Sequence, residues 1–184
     1  ALPILDLVRE NLVQGTWGNI SVRLDQDHML VTPSGLAYDR LTPYDLVRVD
    51  IKSLAYEGWI KPTSEARLHA ALYKGFPDMT WLIHSHPLQS SVFAACQQAI
   101  PVLHGQDREW LGDRTAFSPR RLSGTSALAS AVVKALSRSQ SKVCVMGSHG
   151  IMVAGTSQEE ALERCRATER AARRYLDSKV RELR

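Results

Sequence analysis

Residues 80 to 87, Thr-Trp-Leu-Ile-His-Ser-His-Pro, leave few options for the fold around them. An apolar run that rises into a His-x-His and is stopped by proline is typical of a buried strand that ends in two histidines. Because side chains alternate along a strand, His84 and His86 lie on one face, where both rings can bind one ion. The alternative is a pair of structural histidines that only satisfy hydrogen bonds in the core.

A second apolar run, residues 143 to 145, also leads into a histidine. His149 follows it in a turn that contains Gly147 and Gly150, and it is the best candidate for a third ligand. Three imidazoles would form a zinc site with one open position, the arrangement of catalytic zinc.

Length and composition predict an ordinary soluble protein. The chain of 184 residues, with 44% hydrophobic and 23% charged residues, fits one compact domain spanning 1–184. No apolar stretch reaches membrane-spanning length, and the N-terminus does not have the pattern of a signal peptide. Cys96, Cys144 and Cys165 are an odd number with wide spacing, which favours small core residues in a reducing compartment. We therefore expect a cytoplasmic protein with no membrane partner.

The net charge of +4 does not indicate a nucleic-acid partner. The excess of arginine is concentrated near the C-terminus, where Glu159, Glu160, Glu163 and Glu169 interleave with it as on a solvated helix face. We expect no nucleic acid. A modest positive bias favours an anionic metabolite.

Hydrophobic periodicity and turn residues predict an α/β domain. The predicted helices span 2–13, 66–74, 88–98, 125–137 and 156–183. The predicted strands span 20–24, 29–32, 47–51, 80–84, 100–103, 143–146 and 151–154. Residues 104 to 121 are expected to be an irregular polar segment, either plain surface or a contact with substrate or another subunit.

Glu65 is the candidate general base. It is predicted in the first turn of a helix, with Thr63 or Ser64 as the cap. The alternative is a carboxylate that only stabilises the helix dipole.

Three turns are rich in hydrogen-bond donors: Gly18-Asn19, Ser34-Gly35 and Thr63-Ser64. Each alone is weak, since these residue types are common in loops. Phosphate oxygens need several donors from different directions, so the three turns together with the histidines suggest a phosphorylated substrate.

The order of these motifs carries a family resemblance. In sequence they are Gly15-Thr16-Trp17-Gly18-Asn19-Ile20-Ser21-Val22-Arg23, Thr32-Pro33-Ser34-Gly35, Lys61-Pro62-Thr63-Ser64-Glu65, His84-Ser85-His86 and His149-Gly150. From about Leu7 to Leu176 the sequence resembles the class II aldolase/adducin family, which includes L-fuculose-phosphate aldolase and L-ribulose-5-phosphate 4-epimerase.

The resemblance implies a three-layer α/β/α fold with a central, mostly antiparallel sheet. It also implies a homotetramer with active sites at subunit boundaries. Glu65 would be the acid/base residue, which can also approach the metal in the resting enzyme. Zn²⁺, one per subunit, would be bound by His84, His86 and His149, with Mn²⁺ or Co²⁺ as alternatives. The substrate phosphate would be bound by Asn19, Ser34, Gly35, Thr63 and Ser64.

The implied reaction is aldol cleavage of a ketose phosphate, a phosphorylated sugar, to dihydroxyacetone phosphate and an aldehyde through a metal-stabilised enediolate. Trp17 is closer to the epimerase, but the epimerase has aspartate where Glu65 stands. A 4-epimerase, a sugar-acid-phosphate decarboxylase and a dehydratase are therefore alternatives that use the same metal site. An adducin-head-like interaction module is the alternative outside catalysis.

The proton donor to the leaving aldehyde is not identified. The fuculose-phosphate aldolase has a tyrosine soon after the position of His104, where this chain has Gly105. Its second tyrosine lies in a C-terminal tail beyond the position of Arg184. Asp107 or Glu109 could replace these as the proton-transfer acid.

Overall fold

A computed structural model describes residues 2–103, 105–139 and 141–183. The helices are α1 Pro3–Arg9, α2 Ala66–Gly75, α3 Leu88–Ala95, α4 Gly105–Leu111, α5 Ser126–Ser139 and α6 Gln158–Glu182. The strands are β1 Gly18–Arg23, β2 His28–Val31, β3 Val47–Asp50, β4 Trp81–Ser85, β5 Ala116–Ser118, β6 Val143–Met146 and β7 Gly150–Gly155. Two short 3-10 helices, Tyr38–Arg40 and Pro43–Asp45, lie between β2 and β3.

The strands form one seven-stranded sheet in the order β3-β2-β1-β4-β7-β6-β5. Every neighbouring pair is antiparallel except β5 and β6, which are parallel. The strand with the His-x-His, β4, is the middle strand and is paired on both edges. The expected mostly antiparallel sheet is confirmed.

Helices cover both faces of the sheet. Adjacent residues of β4 show the division: Leu82 belongs to the core under α2 and α5, whereas Ile83 belongs to the core under α1, α3, α4 and α6. Met152 and Val153 of β7 divide in the same way. Strands that are apolar on both faces need a helical layer on each, which confirms the three-layer α/β/α fold. No described helix is both long and apolar enough to cross a bilayer.

The segment from 100 to 121 differs from its prediction. Residues 100 to 103 are not a strand; Pro101 forms only an isolated bridge with Arg114, and a proline has no N–H to donate to a ladder. The segment expected to be irregular contains α4 and β5. His104 lies outside the described residues. Cys96 is exposed, so the prediction of three core cysteines is right only for Cys144 and Cys165.

Candidate active site

The histidines and Asn19 lie at one end of three adjacent central strands, β1, β4 and β7. In the register of β1 against β4, Asn19 is paired with His84 and Gly18 with Ser85. On the other side of β4, His84 is paired with Met152 and Ser85 with Ile151 of β7. The end of β4 is therefore enclosed between the start of β1 and the start of β7.

The three predicted ligands form a compact cluster. One ligand atom from each of His84, His86 and His149 lies within 4.8 Å of the others. The Nε2 atoms of His84 and His86 are 2.9 Å apart. Nitrogen ligands of one tetrahedral zinc, at about 2.1 Å from it, lie roughly 3.4 Å from each other. The ring spacing is therefore that of a metal site.

The protonation of the cluster also suits a metal. The Nδ1 of His84 lies 2.9 Å from the carbonyl oxygen of Ile151, so it donates there, and Nε2 is directed at His86 and Glu65. Burial, followed by the neighbouring His84 and His149, lowers the pKa of His86 to about 3. Burial and His84 also lower the pKa of His149. Neutral imidazole is the form that binds metal.

Glu65 lies directly beside the cluster and is 3% exposed. Its Oε2 is 3.1 Å from His84 Nε2, and its Oε1 is 3.2 Å from His149 Nε2. The Asn19 amide donates to Oε2 at 3.1 Å, and the Ser123 hydroxyl donates to Oε1 at 3.0 Å. Both carboxylate oxygens thus lie at the histidines and are held by two neutral donors.

The position of Glu65 in its helix differs by one residue from the prediction. It is the N-cap residue of α2 rather than a member of the first turn, and its side chain does not cap the helix. Thr63 Oγ1 instead accepts from the backbone N–H of Glu65 at 3.3 Å. The carboxylate makes no hydrogen bond to the helix backbone and is free to contact the histidines.

Ionisation of Glu65 is set by opposing effects. Burial favours the neutral acid and raises its pKa, whereas His84, His149 and the Asn19 hydrogen bond favour the carboxylate. The second group prevails, and the pKa of Glu65 lies below its ordinary value. The side chain is a carboxylate at neutral pH and can accept a proton.

The donor-rich turns meet the histidines in one pocket of about 440 Å³. Backbone hydrogen bonds from Ser34 N–H to Lys61 O (2.9 Å) and from Thr63 N–H to Thr32 O (3.0 Å) hold two of the turns side by side. The pocket brings together every predicted site residue: Asn19, Ser34, Gly35, Thr63, Ser64, Glu65, His84, His86 and His149.

Two glycines, Gly18 at the start of β1 and Gly150 at the start of β7, allow close packing around the end of β4. A Cβ on Gly150 would lie 2.6 Å from the Ser85 carbonyl oxygen and 3.3 Å from ring atoms of His84 and His86. A Cβ on Gly18 would lie 2.6 Å from the His84 carbonyl oxygen. Both positions exclude any side chain, because carbon and oxygen atoms do not approach so closely.

Comparison with known proteins identifies the family. The pattern of the Class II Aldolase and Adducin N-terminal domain matches residues 4–176. This chain belongs to that family. L-Fuculose phosphate aldolase of Escherichia coli (strain K12) is 33% identical over 172 residues, which are 94% of this chain and 78% of that protein.

Two further relatives bear on the reaction. An L-ribulose-5-phosphate 4-epimerase of Salmonella paratyphi C (strain RKS4594) is 38% identical over 101 residues, 54% of this chain and 44% of the epimerase. The solved structure of an L-fuculose 1-phosphate aldolase superposes with a TM-score of 0.88 at 27% identity, covering 95% of this chain and 82% of that one. The class II aldolase fold is thus shared along nearly the whole chain.

The structure adds pocket residues that the motifs of the class II aldolase family did not indicate. Ser123 donates to Glu65 from the loop after β5, 58 positions away in the chain. Tyr38 lines the pocket and its hydroxyl donates to the Gly18 carbonyl, while burial raises its pKa to about 12. The only signal for Ser123 was its place before Gly124 in a turn, which many serines share.

The proposed proton-transfer role of Asp107 is wrong for this pocket. Asp107 is fully buried, and its carboxylate is bound by Arg170 at 3.2 Å and by Arg174 at 2.5 Å. It belongs to α4, faces α6 and does not line the pocket. Glu109 is exposed and does not line it either.

Proposed function

We propose that this protein is an aldehyde-lyase, a metal-dependent sugar-phosphate aldolase that cleaves a ketose phosphate into dihydroxyacetone phosphate and an aldehyde. One observation carries the proposal. A buried, ionised carboxylate, Glu65, lies within 3.2 Å of two of three clustered histidines, in a pocket rimmed by donor-rich turns. The names of the aldolase relatives supply the substrate class.

The three histidines fit a divalent metal ion, for which we propose zinc, with manganese or cobalt as alternatives. Their ring spacing, the lowered pKa of His86 and of His149, and the Ile151 carbonyl that orients His84 support this fit. Such an ion, when bound, would polarise a substrate carbonyl and stabilise negative charge on its oxygen.

The turns would bind the phosphate end of the substrate. Ser34, Thr63 and Ser64 present hydroxyl and backbone donors, Gly35 has φ +76, and Asn19 presents its amide from β1. Donors that converge from separate turns are what phosphate oxygens require. With the phosphate there, the carbon chain of the sugar extends over the histidines.

Glu65 would move the proton at the carbon next to the carbonyl. Its carboxylate can receive a proton in one direction of the reaction and return it in the other. The hydrogen bonds from Asn19 and Ser123 restrict its rotation, so it meets the substrate in one orientation.

A 4-epimerase is the second candidate, because an epimerase is among the relatives and Trp17 lines the pocket. A decarboxylase or a dehydratase would use the same residues. An adducin-like interaction module has no need of a buried carboxylate beside three histidines, so we place it last.

Three proposals accompany the reaction. We propose that the chain acts as a single domain over 1–184, since both cores pack on one sheet. We propose a cytoplasmic homotetramer with active sites at subunit boundaries. Such an arrangement would let a neighbouring subunit supply the donor to the leaving aldehyde, which none of the residues discussed above provides.

The test is a panel of ketose 1-phosphates, including L-fuculose 1-phosphate, assayed for release of dihydroxyacetone phosphate. The purified protein should contain about one metal ion per chain, and His86→Ala should lose both metal and turnover. Asp107→Asn is the control and should keep the metal. Interconversion of pentulose 5-phosphates without any cleavage would replace the aldolase proposal by the epimerase. Full metal content in His86→Ala would reject the assignment of that ligand.

A further inference from the structure

A line of buried polar side chains runs from Glu65 away from the pocket. Beneath Asn19 lie His69, Ser21 and Tyr73, each at most 1% exposed. None of these three lines the pocket. Burying a polar group in a core costs free energy unless the group is hydrogen bonded, so each of these side chains is expected to have a partner.

Two regular periodicities bring these residues together. Glu65, His69 and Tyr73 are spaced by four residues, so they share one side of α2 and its N-cap. Asn19 and Ser21 are spaced by two in β1 and share one face of the strand. The polar side of the helix lies on the polar positions of the strand.

The contacts form an unbranched chain that ends at Glu65. Tyr73 Oη is 2.8 Å from Ser21 Oγ, and Ser21 Oγ is 2.6 Å from His69 Nδ1. His69 Nε2 is 2.5 Å from Asn19 Oδ1, and Asn19 Nδ2 is 3.1 Å from Glu65 Oε2. Ser21, His69 and Asn19 each have one neighbour on either side, and at the far end Tyr73 Oη also lies 3.2 Å from the Thr80 carbonyl oxygen.

The carboxylate fixes the direction of the bonds from Glu65 to His69, and a neutral His69 ring then fixes the rest. Glu65 only accepts, so the Asn19 amide presents NH₂ to it and turns Oδ1 to His69. Oδ1 only accepts, so His69 must carry its proton on Nε2. In a neutral ring Nδ1 then accepts from Ser21, whose own oxygen accepts from Tyr73.

A positively charged His69 ring would keep the same contacts, but Nδ1 would then donate to Ser21, and Ser21 would donate to Tyr73. It would be an imidazolium in the core whose neighbours in the chain are an amide and a hydroxyl, with no carboxylate in contact. Burial disfavours it and lowers the pKa of His69 to about 4. The neutral ring is therefore the native form.

We propose that His69 is a positioning residue whose Nε2–H tautomer locks the Asn19 amide with its NH₂ toward Glu65 and the pocket. The catalytic part of this inference rests on the proposed function. Without His69 the amide could rotate, and its carbonyl oxygen would then face the carboxylate across 3.1 Å. Two acceptors repel at that distance, so Glu65 would move and the pocket would lose a donor.

Two substitutions separate positioning from packing. His69→Leu fills similar space without a donor and should lower kcat/KM about 10- to 100-fold, the loss expected for one buried partner left unpaired. His69→Gln places an amide N–H near the position of Nε2 and should recover most of that loss. Tyr73→Phe removes only the far end of the chain and should change kcat/KM about threefold or less.

The kinetic pattern and the metal content must agree with this role. We expect the loss in His69→Leu to fall on both kcat and KM, since Asn19 contacts Glu65 and lines the pocket. The purified variant should keep the metal content of the parent protein. Equal kcat/KM in His69→Leu and the parent, or equal losses in His69→Leu and His69→Gln, would overturn the proposal.

A measurement without substrate separates this proposal from the aldolase assignment. Nitrogen-15 NMR of the labelled parent protein at neutral pH should show His69 neutral, with its proton on Nε2. A proton on Nδ1, or a charged ring, would overturn the positioning role whatever the reaction is. If no ketose phosphate is turned over but the Nε2–H tautomer is found, the proposed function fails and the locked Asn19 stands. Should His69→Leu not fold, His69→Gln and the tautomer decide.

Discussion

Glu65 and Asp107 are the two buried carboxylates of the described chain, and their surroundings are opposite. Glu65 is 3% exposed and Asp107 is fully buried. Two imidazoles, an amide and a hydroxyl contact Glu65. Two guanidinium groups, from Arg170 and Arg174, contact Asp107.

The partners decide what a buried carboxylate can do. Arginine does not lose its proton in proteins, so the negative charge of Asp107 always has a positive partner, and the ion pairs tie α4 to α6. Around Glu65 every partner is a group that can be neutral, and one side of the carboxylate faces a pocket. Equal burial therefore gives a structural tie in one place and, in the other, a carboxylate that lines a pocket and that we propose as a base.

The largest effect is expected for Glu65→Gln. It should lower kcat by about 10²- to 10⁴-fold, the usual contribution of a general base. The free energy of unfolding should change by no more than about 1 kcal/mol, because burial opposes the charge of Glu65 while its partners favour it, and the two effects largely offset each other. Steady-state kinetics, metal analysis and urea denaturation test this. A loss of kcat below tenfold would remove Glu65 from the reaction.

Asp107→Asn should show the reverse profile. The free energy of unfolding should fall by about 2 kcal/mol, because two guanidinium groups lose their counter-charge, although both are partly exposed and can be solvated. Turnover per folded chain should stay unchanged in conditions where the variant is folded. Urea denaturation at constant pH measures the first quantity. A large loss of kcat in the folded variant would restore Asp107 as a proton-transfer candidate.

Acid offers a third way to distinguish the two regions. His69, which supports Glu65 through Asn19, has its pKa lowered from 6.5 to about 4 by burial. Between these values the unfolded chain binds a proton that the native chain does not, so stability falls as pH decreases from 6.5. From pH 6.5 to 5 this amounts to about 1.5 kcal/mol.

His69→Gln should lose that component, whereas Asp107→Asn should keep it. Denaturation curves of both variants and the parent, collected across this pH range, give the comparison. Identical pH slopes in His69→Gln and the parent would show that His69 takes up its proton in the native state as readily as in the unfolded state.

A smaller effect is expected for Ser123→Ala. It removes one hydrogen bond from a hydroxyl to the Glu65 carboxylate, so kcat should fall about three- to tenfold with little change in stability. Ser123→Thr keeps the hydroxyl and is the matched control. If both variants equal the parent, the Asn19 bond alone orients the carboxylate.

Local patterns were enough to predict the elements that bear the histidines and the order of the donor-rich turns. Spacing of two in β4 put His84 and His86 on one face, and the family motifs indicated Glu65. The mostly antiparallel character of the sheet, the three layers and most helices followed from periodicity and resemblance, whereas the order of the strands did not. What these patterns share is that the residues concerned are close in sequence.

The missed features depend on contacts between distant residues. Helix α4 is held by Asp107, whose partner Arg170 is 63 positions away, and hydrophobic periodicity does not register an ion pair. His69 looked like any other residue of α2, because its partners Ser21 and Asn19 lie on β1. Such pairs become visible only when the chain is folded.

The glycines beside β4 determine where this site can evolve. Because Gly18 and Gly150 leave no room for a Cβ next to His84, the spacing of the backbone, and not only the identity of the ligands, sets the ring positions. The histidine cluster can thus be disabled by changes that touch no ligand, namely by a side chain at Gly18 or Gly150. Side chains on the rim, at Thr16-Trp17 and in the loop from Arg120 to Ser123, can change without altering this backbone spacing.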